Sequence, residues 1–170
     1  SQIIDPTTKK VLGNSPEPYF IVELPIPPNN KSPTLYDCFS HFSNPEHLEG
    51  DNAWYNETTQ KKENVDKQMV FWSFPSILVI ALKRFTNMNR KININIDIPL
   101  DNLDLSPFVK GYNKDTFKYE LYGIANHVGN SMGGHYYAYI KSTLGKWYEI
   151  NDTNVKEIPI ENIISPSAYV

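Results

Sequence analysis

Cysteine is nearly absent: Cys38 is the one thiol in 170 residues. A single cysteine excludes an internal disulfide and a cysteine-rich zinc site, and it fits a reducing compartment. Long apolar runs are missing too. No stretch approaches the ~20 residues that a membrane-spanning helix requires, and the opening Ser-Gln-Ile-Ile-Asp does not read as a signal peptide. Positive charge is not in excess; the formal charge of −3 gives no electrostatic case for nucleic acid or for an anionic membrane surface. There is no internal repeat. Metal-ligand spacing is absent as well, since His127 and His135 lie apart without partner ligands and the acidic stretches hold no His or Cys pair.

What remains is an ordinary globular composition, 40% hydrophobic and 21% charged, in a chain long enough for one domain with a core. It begins mid-pattern, as though an upstream segment were missing. Residues 1 to 18 are polar and turn-rich. Tyr19 to Ile26 reads as a strand with apolar residues on both faces, broken by Pro27-Pro28-Asn29-Asn30. A helix is expected from Ser32-Pro33-Thr34, with Ser32 as cap and Pro33 at the first helical position. Leu35, Cys38, Phe39 and Phe42 then form an apolar stripe. Asn44-Pro45 suggests a further short helical turn, and residues 49 to 67 read as exposed.

Three more strands are expected in the middle of the chain: Gln68 to Phe74, the apolar run Ser76 to Phe85, and Lys91 to Ile98. The second suits a strand buried on both faces. In the third, Ile92, Ile94, Ile96 and Ile98 alternate with polar residues. Phe117 to Ala125 is a further strand. The sum is an α+β, mainly antiparallel domain.

Chemistry gathers at residues 131 to 155. His135 opens a strand that runs to Lys141, Ser142 to Gly145 make a turn, and Lys146 to Ile150 return. If Lys141 faces Lys146, then His135 faces Asp152; with one more loop residue it faces Asn151. Either way an acceptor meets the imidazole and fixes which ring nitrogen keeps its proton, as a catalytic histidine requires. Gly133 and Gly134, just before it, allow another backbone to approach.

No nucleophile accompanies this base. Cys38 lies on its helix's apolar stripe, where burial keeps a thiol protonated. Gly129-Asn130-Ser131-Met132-Gly133 matches the G-x-S-x-G elbow of serine hydrolases, but a strand follows where that motif demands a helix. His41 and His47 read as structural or exposed.

Several stretches together resemble the ubiquitin-specific proteases, papain-like cysteine deubiquitinases. They are Tyr119-Glu-Leu-Tyr-Gly-Ile-Ala-Asn-His-Val-Gly, Gly133-Gly-His-Tyr-Tyr-Ala-Tyr and Trp147-Tyr-Glu-Ile-Asn-Asp-Thr-Asn-Val, which are similar to the family's histidine box. Upstream, Leu48-Glu-Gly-Asp-Asn, Phe74-Pro-Ser-Ile-Leu-Val-Ile-Ala-Leu-Lys-Arg-Phe and Ile98-Pro-Leu-Asp-Asn-Leu-Asp-Leu-Ser-Pro-Phe match in order. The resemblance implies the fingers and palm of such a domain without its helical thumb: fingers at about residues 1–20 and 49–72, palm elsewhere, with one or two short helices. It implies that His135 is the general base, Asn151 its orienting partner and Asp152 an auxiliary. It also implies that Gly133, Gly134 and Tyr136 line the channel for ubiquitin's Gly-Gly tail. His127 matches a histidine of the preceding loop, without a catalytic role.

Two departures stand out. The family's cysteine box is missing, so the nucleophile is expected in an upstream thumb segment or a companion chain, and this stretch alone is expected to be inactive. The fingertip Cys-x-x-Cys pairs are replaced by Asn56-Glu57-Thr58-Thr59 and Asp5-Pro6-Thr7-Thr8, so no metal or other cofactor is expected. The implied partners are ubiquitin or ubiquitinated proteins, not nucleic acid or membrane, in the cytoplasm and also the nucleus. The alternative is a non-catalytic ubiquitin-binding or scaffold module of the same fold.

Overall fold

A computed structural model describes residues 1–112 and 117–170. In chain order its elements are β1 (Gln2–Ile4), β2 (Val11–Asn14), β3 (Ile21–Pro25), α1 (Leu35–Phe42), β4 (Glu46–Leu48), β5 (Trp54–Asn56), β6 (Lys61–Glu63) and β7 (Val65–Gln68). They continue with β8 (Val79–Lys83), β9 (Leu103–Asp104), β10 (Lys118–Tyr119), β11 (Gly123–Asn130), β12 (Gly133–Lys141), β13 (Trp147–Asn151) and β14 (Asn154–Ile158). One α-helix with mostly antiparallel strands among the described residues is the α+β architecture expected. Among the described residues, no helix is long and apolar enough to cross a membrane.

The helix starts two residues later than the sequence suggests. Thr34, not Ser32, is the N-cap: its Oγ1 accepts from the Asp37 backbone N–H at 3.1 Å, and the Asp37 carboxylate accepts from the Thr34 N–H at 2.8 Å. This reciprocal pair satisfies two backbone donors at once, so Thr34 outcompetes Ser32 and Pro33 falls before the cap. Leu35, Cys38 and Phe39 are fully buried, as the stripe implies. Phe39 meets Phe71, Phe74 and Phe108 at ring-centroid distances of 5.6, 6.0 and 5.3 Å in the main core.

Several strands differ from expectation. β3 buries one face only: Val22 and Leu24 are inside while Ile21 and Glu23 are exposed. It pairs in parallel with β8, from Ile21↔Val79 to Pro25↔Lys83. β8 is not buried on both faces. Val79 and Ile80 are half-buried along an apolar groove of about 470 Å³ shared with Tyr122, Ala138 and Ile140. After Asn44-Pro45 comes β4, not helix; its extended backbone pairs with β7 in the sheet ordered β2-β1-β7-β4. Gln68 to Phe74 leaves the ladder at Gln68, because Phe71 and Phe74 turn into the aromatic core. Phe117 to Ala125 divides into β10 and the start of β11.

The stretch from Lys91 to Ile98 presents its isoleucines inward as expected, with Ile96 fully buried, yet it joins no ladder. Arg84 supplies the reason. Its guanidinium donates from Nη1 to the Ile92 and Ile94 carbonyls, both at 2.9 Å, and from Nε to Ala168 O at 2.5 Å. A buried side chain thus occupies the acceptors that a neighbouring strand would have used.

The sheet that carries His135 is β11-β12-β13-β14, antiparallel throughout. Its inner face packs Ile124, Tyr139 and Trp147 against Ile163 and Ala168. The free edge of β11 is closed by the chain's last residues: His127 N–H donates to Ser167 O and Tyr169 N–H to Ala125 O.

Candidate active site

The β12–β13 register differs from both sequence alternatives. Lys141 pairs with Trp147 and Ala138 with Ile150, so straight continuation would set His135 against Thr153. The cause is the loop. Ser142 N–H donates to Lys146 O, and Thr143-Leu144-Gly145 closes between them with Gly145 at φ +80°. Such a three-residue loop ends on a left-handed residue, which glycine adopts without strain.

His135 nonetheless meets Asn151. The β12–β13 ladder ends at Ala138, and Asn151 reaches the imidazole diagonally rather than from directly opposite. His135 Nε2 and Asn151 Oδ1 are 2.7 Å apart. Because Oδ1 only accepts, Nε2 carries the proton and Nδ1 keeps its lone pair. Asp152 stands second: its Oδ2 is 3.9 Å from the same Nε2. Asp152 has φ +51° in the tight turn that joins β13 to β14, where Asn151 pairs with Asn154. Half of the His135 side chain is exposed (51%), and among the described residues Nδ1 has no hydrogen-bond partner. The site is an imidazole with a hydrogen-bond acceptor at one nitrogen, a nearby carboxylate and an accessible second nitrogen.

The flanking residues are brought together with it. Gly133 has open space where a Cβ would project, while a Cβ on Gly134 would strike the His127 ring and Val128 O. Tyr136 is exposed on one side and meets His127 at a centroid distance of 4.7 Å on the other. His127 lies in strand β11, not in a loop, and is buried among Phe85, Tyr136 and Tyr169. Its surroundings were missed from sequence; the available signal was a glycine one strand away from a histidine in a hairpin. Burial, aided by the charge of Lys91, holds its imidazole below the usual value.

The rejected candidates lie elsewhere. Cys38 is inaccessible, and burial with the neighbouring Asp37 charge pushes its thiol up to about 11. Ser131 sits in the turn between β11 and β12, with no helix after it. His47 bonds Asp66 through Nδ1 at 2.8 Å on the surface. At the two segments expected in place of fingertip cysteines, Asp5 Oδ1 accepts from the Thr7 and Thr8 N–H groups, and Asn56 Oδ1 accepts from Thr58 N–H. Among the described residues no three His, Cys, Asp or Glu side chains gather as a metal would require.

Residues 26–170 match the family described as ubiquitin carboxyl-terminal hydrolase. Ubiquitin carboxyl-terminal hydrolase 8 of Arabidopsis thaliana is 39% identical over 144 residues, which is 82% of this chain and 16% of that protein. Ubiquitin carboxyl-terminal hydrolase 12 of Saccharomyces cerevisiae is 41% identical over 143 residues, 81% of this chain and 11% of that protein. The chain therefore spans a sixth or less of these curated relatives' length. Among solved structures, a SAGA DUB module of Ubp8, Sgf11, Sus1 and Sgf73 bound to monoubiquitin superposes with a TM-score of 0.83 at 28% identity. That match covers 99% of this chain and 38% of the other. The family match runs through β12, β13 and the turn after it, so His135, Asn151 and Asp152 all fall inside it, and the chain belongs to the ubiquitin carboxyl-terminal hydrolase family.

Proposed function

We propose that this stretch is part of a cysteine-type deubiquitinase and supplies its general base. The observation that carries this reading is the 2.7 Å contact between His135 Nε2 and Asn151 Oδ1, which leaves Nδ1 as the basic nitrogen. The nucleophile is a cysteine outside these 170 residues, in an upstream segment or a companion chain. His135 Nδ1 takes the thiol proton, and the thiolate attacks the carbonyl of ubiquitin's last glycine. The imidazolium is stabilised by Asn151 Oδ1 and by the Asp152 charge nearby. It returns the proton to the leaving amine. Water, deprotonated by the same nitrogen, then hydrolyses the thioester. Gly133, Gly134 and Tyr136 border the path of the ubiquitin tail: the open space at Gly133 and the exposed side of Tyr136 support that assignment. The free thiol of Cys38 agrees with work in a reducing compartment, the cytoplasm and also the nucleus, which subcellular fractionation checks.

The test is ubiquitin vinyl sulfone on the full protein, with this stretch alone as comparison. The full protein should be labelled at a cysteine other than Cys38, and His135→Ala should slow labelling by about 100- to 10,000-fold. Labelling of Cys38 would overturn the reading. A full protein that binds ubiquitin but is never labelled would make the fold a ubiquitin-binding scaffold.

A further inference from the structure

We infer that His127 is a positioning residue for His135, locking the β12 backbone on both sides of it. The inference rests on the role proposed above for His135. His127 touches the two residues that flank His135 in sequence: its ring fills the place a side chain would take on Gly134, and it packs against Tyr136. His127 is itself immobilised. Its N–H donates to Ser167 O, its carbonyl accepts from Lys91 Nζ, and Phe85 and Tyr169 close round the ring at centroid distances of 5.8 and 5.7 Å. Lower in the hairpin the β12–β13 ladder has already ended, so His135 has no backbone pairing to β13 that would hold its aim. Its backbone is set from the β11 side alone, where Val128 pairs with His135 and His127 with Tyr136. The glycine beside His135 is therefore required by His127 as well as by any ligand. Removing the ring opens a gap under Gly134, and the strand relaxes into it.

The experiment uses the full protein with its nucleophile-bearing segment or companion, hydrolysis of a fluorogenic ubiquitin C-terminal amide, and ¹⁵N spectra of labelled histidines. In the wild type His135 should show the Nε2–H tautomer. His127→Ala should lower kcat about 10- to 100-fold, leave KM within about twofold, and turn His135 into a tautomer mixture. His127→Gln, neutral and long enough to reach the Nε2 position, should recover much of the loss. Gly134→Ala drives a methyl group into the ring and against Val128 O alike, so it should mix the tautomers in the absence of substrate; if His127→Ala fails to fold, adding His127→Gln to Gly134→Ala should lessen that mixing, and no lessening would overturn the inference. The inference is overturned if the tautomer and kcat of His127→Ala match the wild type, if its loss falls on KM alone, or if Gly134→Ala leaves the tautomer unmixed. His135→Ala separates the two readings. If that variant is fully active, the proposed function fails; if it is inactive while the His127 and Gly134 variants behave as wild type, only the positioning role fails.

Discussion

Asn151 and Asp152 both address one nitrogen, at 2.7 and 3.9 Å, and this redundancy can be measured. Asn151→Ala removes a half-exposed hydrogen bond worth about 0.5–1.5 kcal/mol, so kcat should fall about threefold to tenfold. The fall is capped because Asp152 Oδ2 needs to move only about 1 Å to bond the same N–H. Asp152→Ala alone removes an exposed charge whose attraction is screened by water, and should cost about twofold. The double variant leaves the imidazole with no acceptor. Its loss should reach about 100-fold or more, beyond the product of the single losses, because orientation and tautomer are then both unset. The assay is steady-state hydrolysis of a ubiquitin C-terminal amide by the full protein, completed as a double-mutant cycle. A double variant equal to the product of the singles would refute substitution by Asp152. So would an Asn151→Ala variant already as impaired as the double.

Three further outcomes follow from the fold. Thr34→Ala should destabilise the protein by about 1 kcal/mol in urea unfolding, whereas Ser32→Ala should leave the midpoint unchanged, since its side chain takes no part in the cap. Asp37 and Asp66 are held below the ordinary carboxylate value of 3.8, Asp37 chiefly by the Thr34 N–H and Asp66 chiefly by His47. Folded-state values that are depressed add stability above the unfolded value, which is lost as pH falls through the folded one; unfolding midpoints should therefore hold above about pH 5 and drop below about pH 4. Asp37→Asn should flatten part of that drop. Arg84→Lys should cost about 3 kcal/mol or more, seen as a lower melting temperature, because an ammonium cannot reach Ile92 O, Ile94 O and Ala168 O together.

What the sequence disclosed and what it concealed divide along the range of the forces involved. The α1 stripe, the inward isoleucines from Ile92 to Ile98 and the encounter of His135 with an Asn-Asp pair are all written in local period and spacing. The capping box was legible too, since Asp37 follows Thr34 by three, but Ser32-Pro33 offered a plausible rival. The exact hairpin register hung on the φ of one residue, Gly145, and a single-residue difference moves every partner. The remaining features depend on residues far apart in sequence. Nothing local in Ile21–Pro25 specifies a parallel partner at Val79–Lys83, and no periodicity reveals that Arg84 takes the carbonyls of Ile92 and Ile94. The use of His127 to fill the space over Gly134 is a packing fact, visible only once β11 and β12 lie side by side.

The parallel pairing of β3 with β8 also governs how this fold tolerates change in length. Those two strands are fixed at their ends, and everything from α1 to β7, including the β5–β6 hairpin, is an excursion that leaves β3 and returns as β8. Closing such a loop costs entropy that grows only with the logarithm of its size, about 0.6 kcal/mol per doubling. The hairpin tip at residues 57–60, with its side chains in solvent, can thus be lengthened or shortened at little cost to the β3–β8 pair. Length there is a nearly free variable, open to selection for reach or for new contacts while the sheet bearing His135 stays as it is.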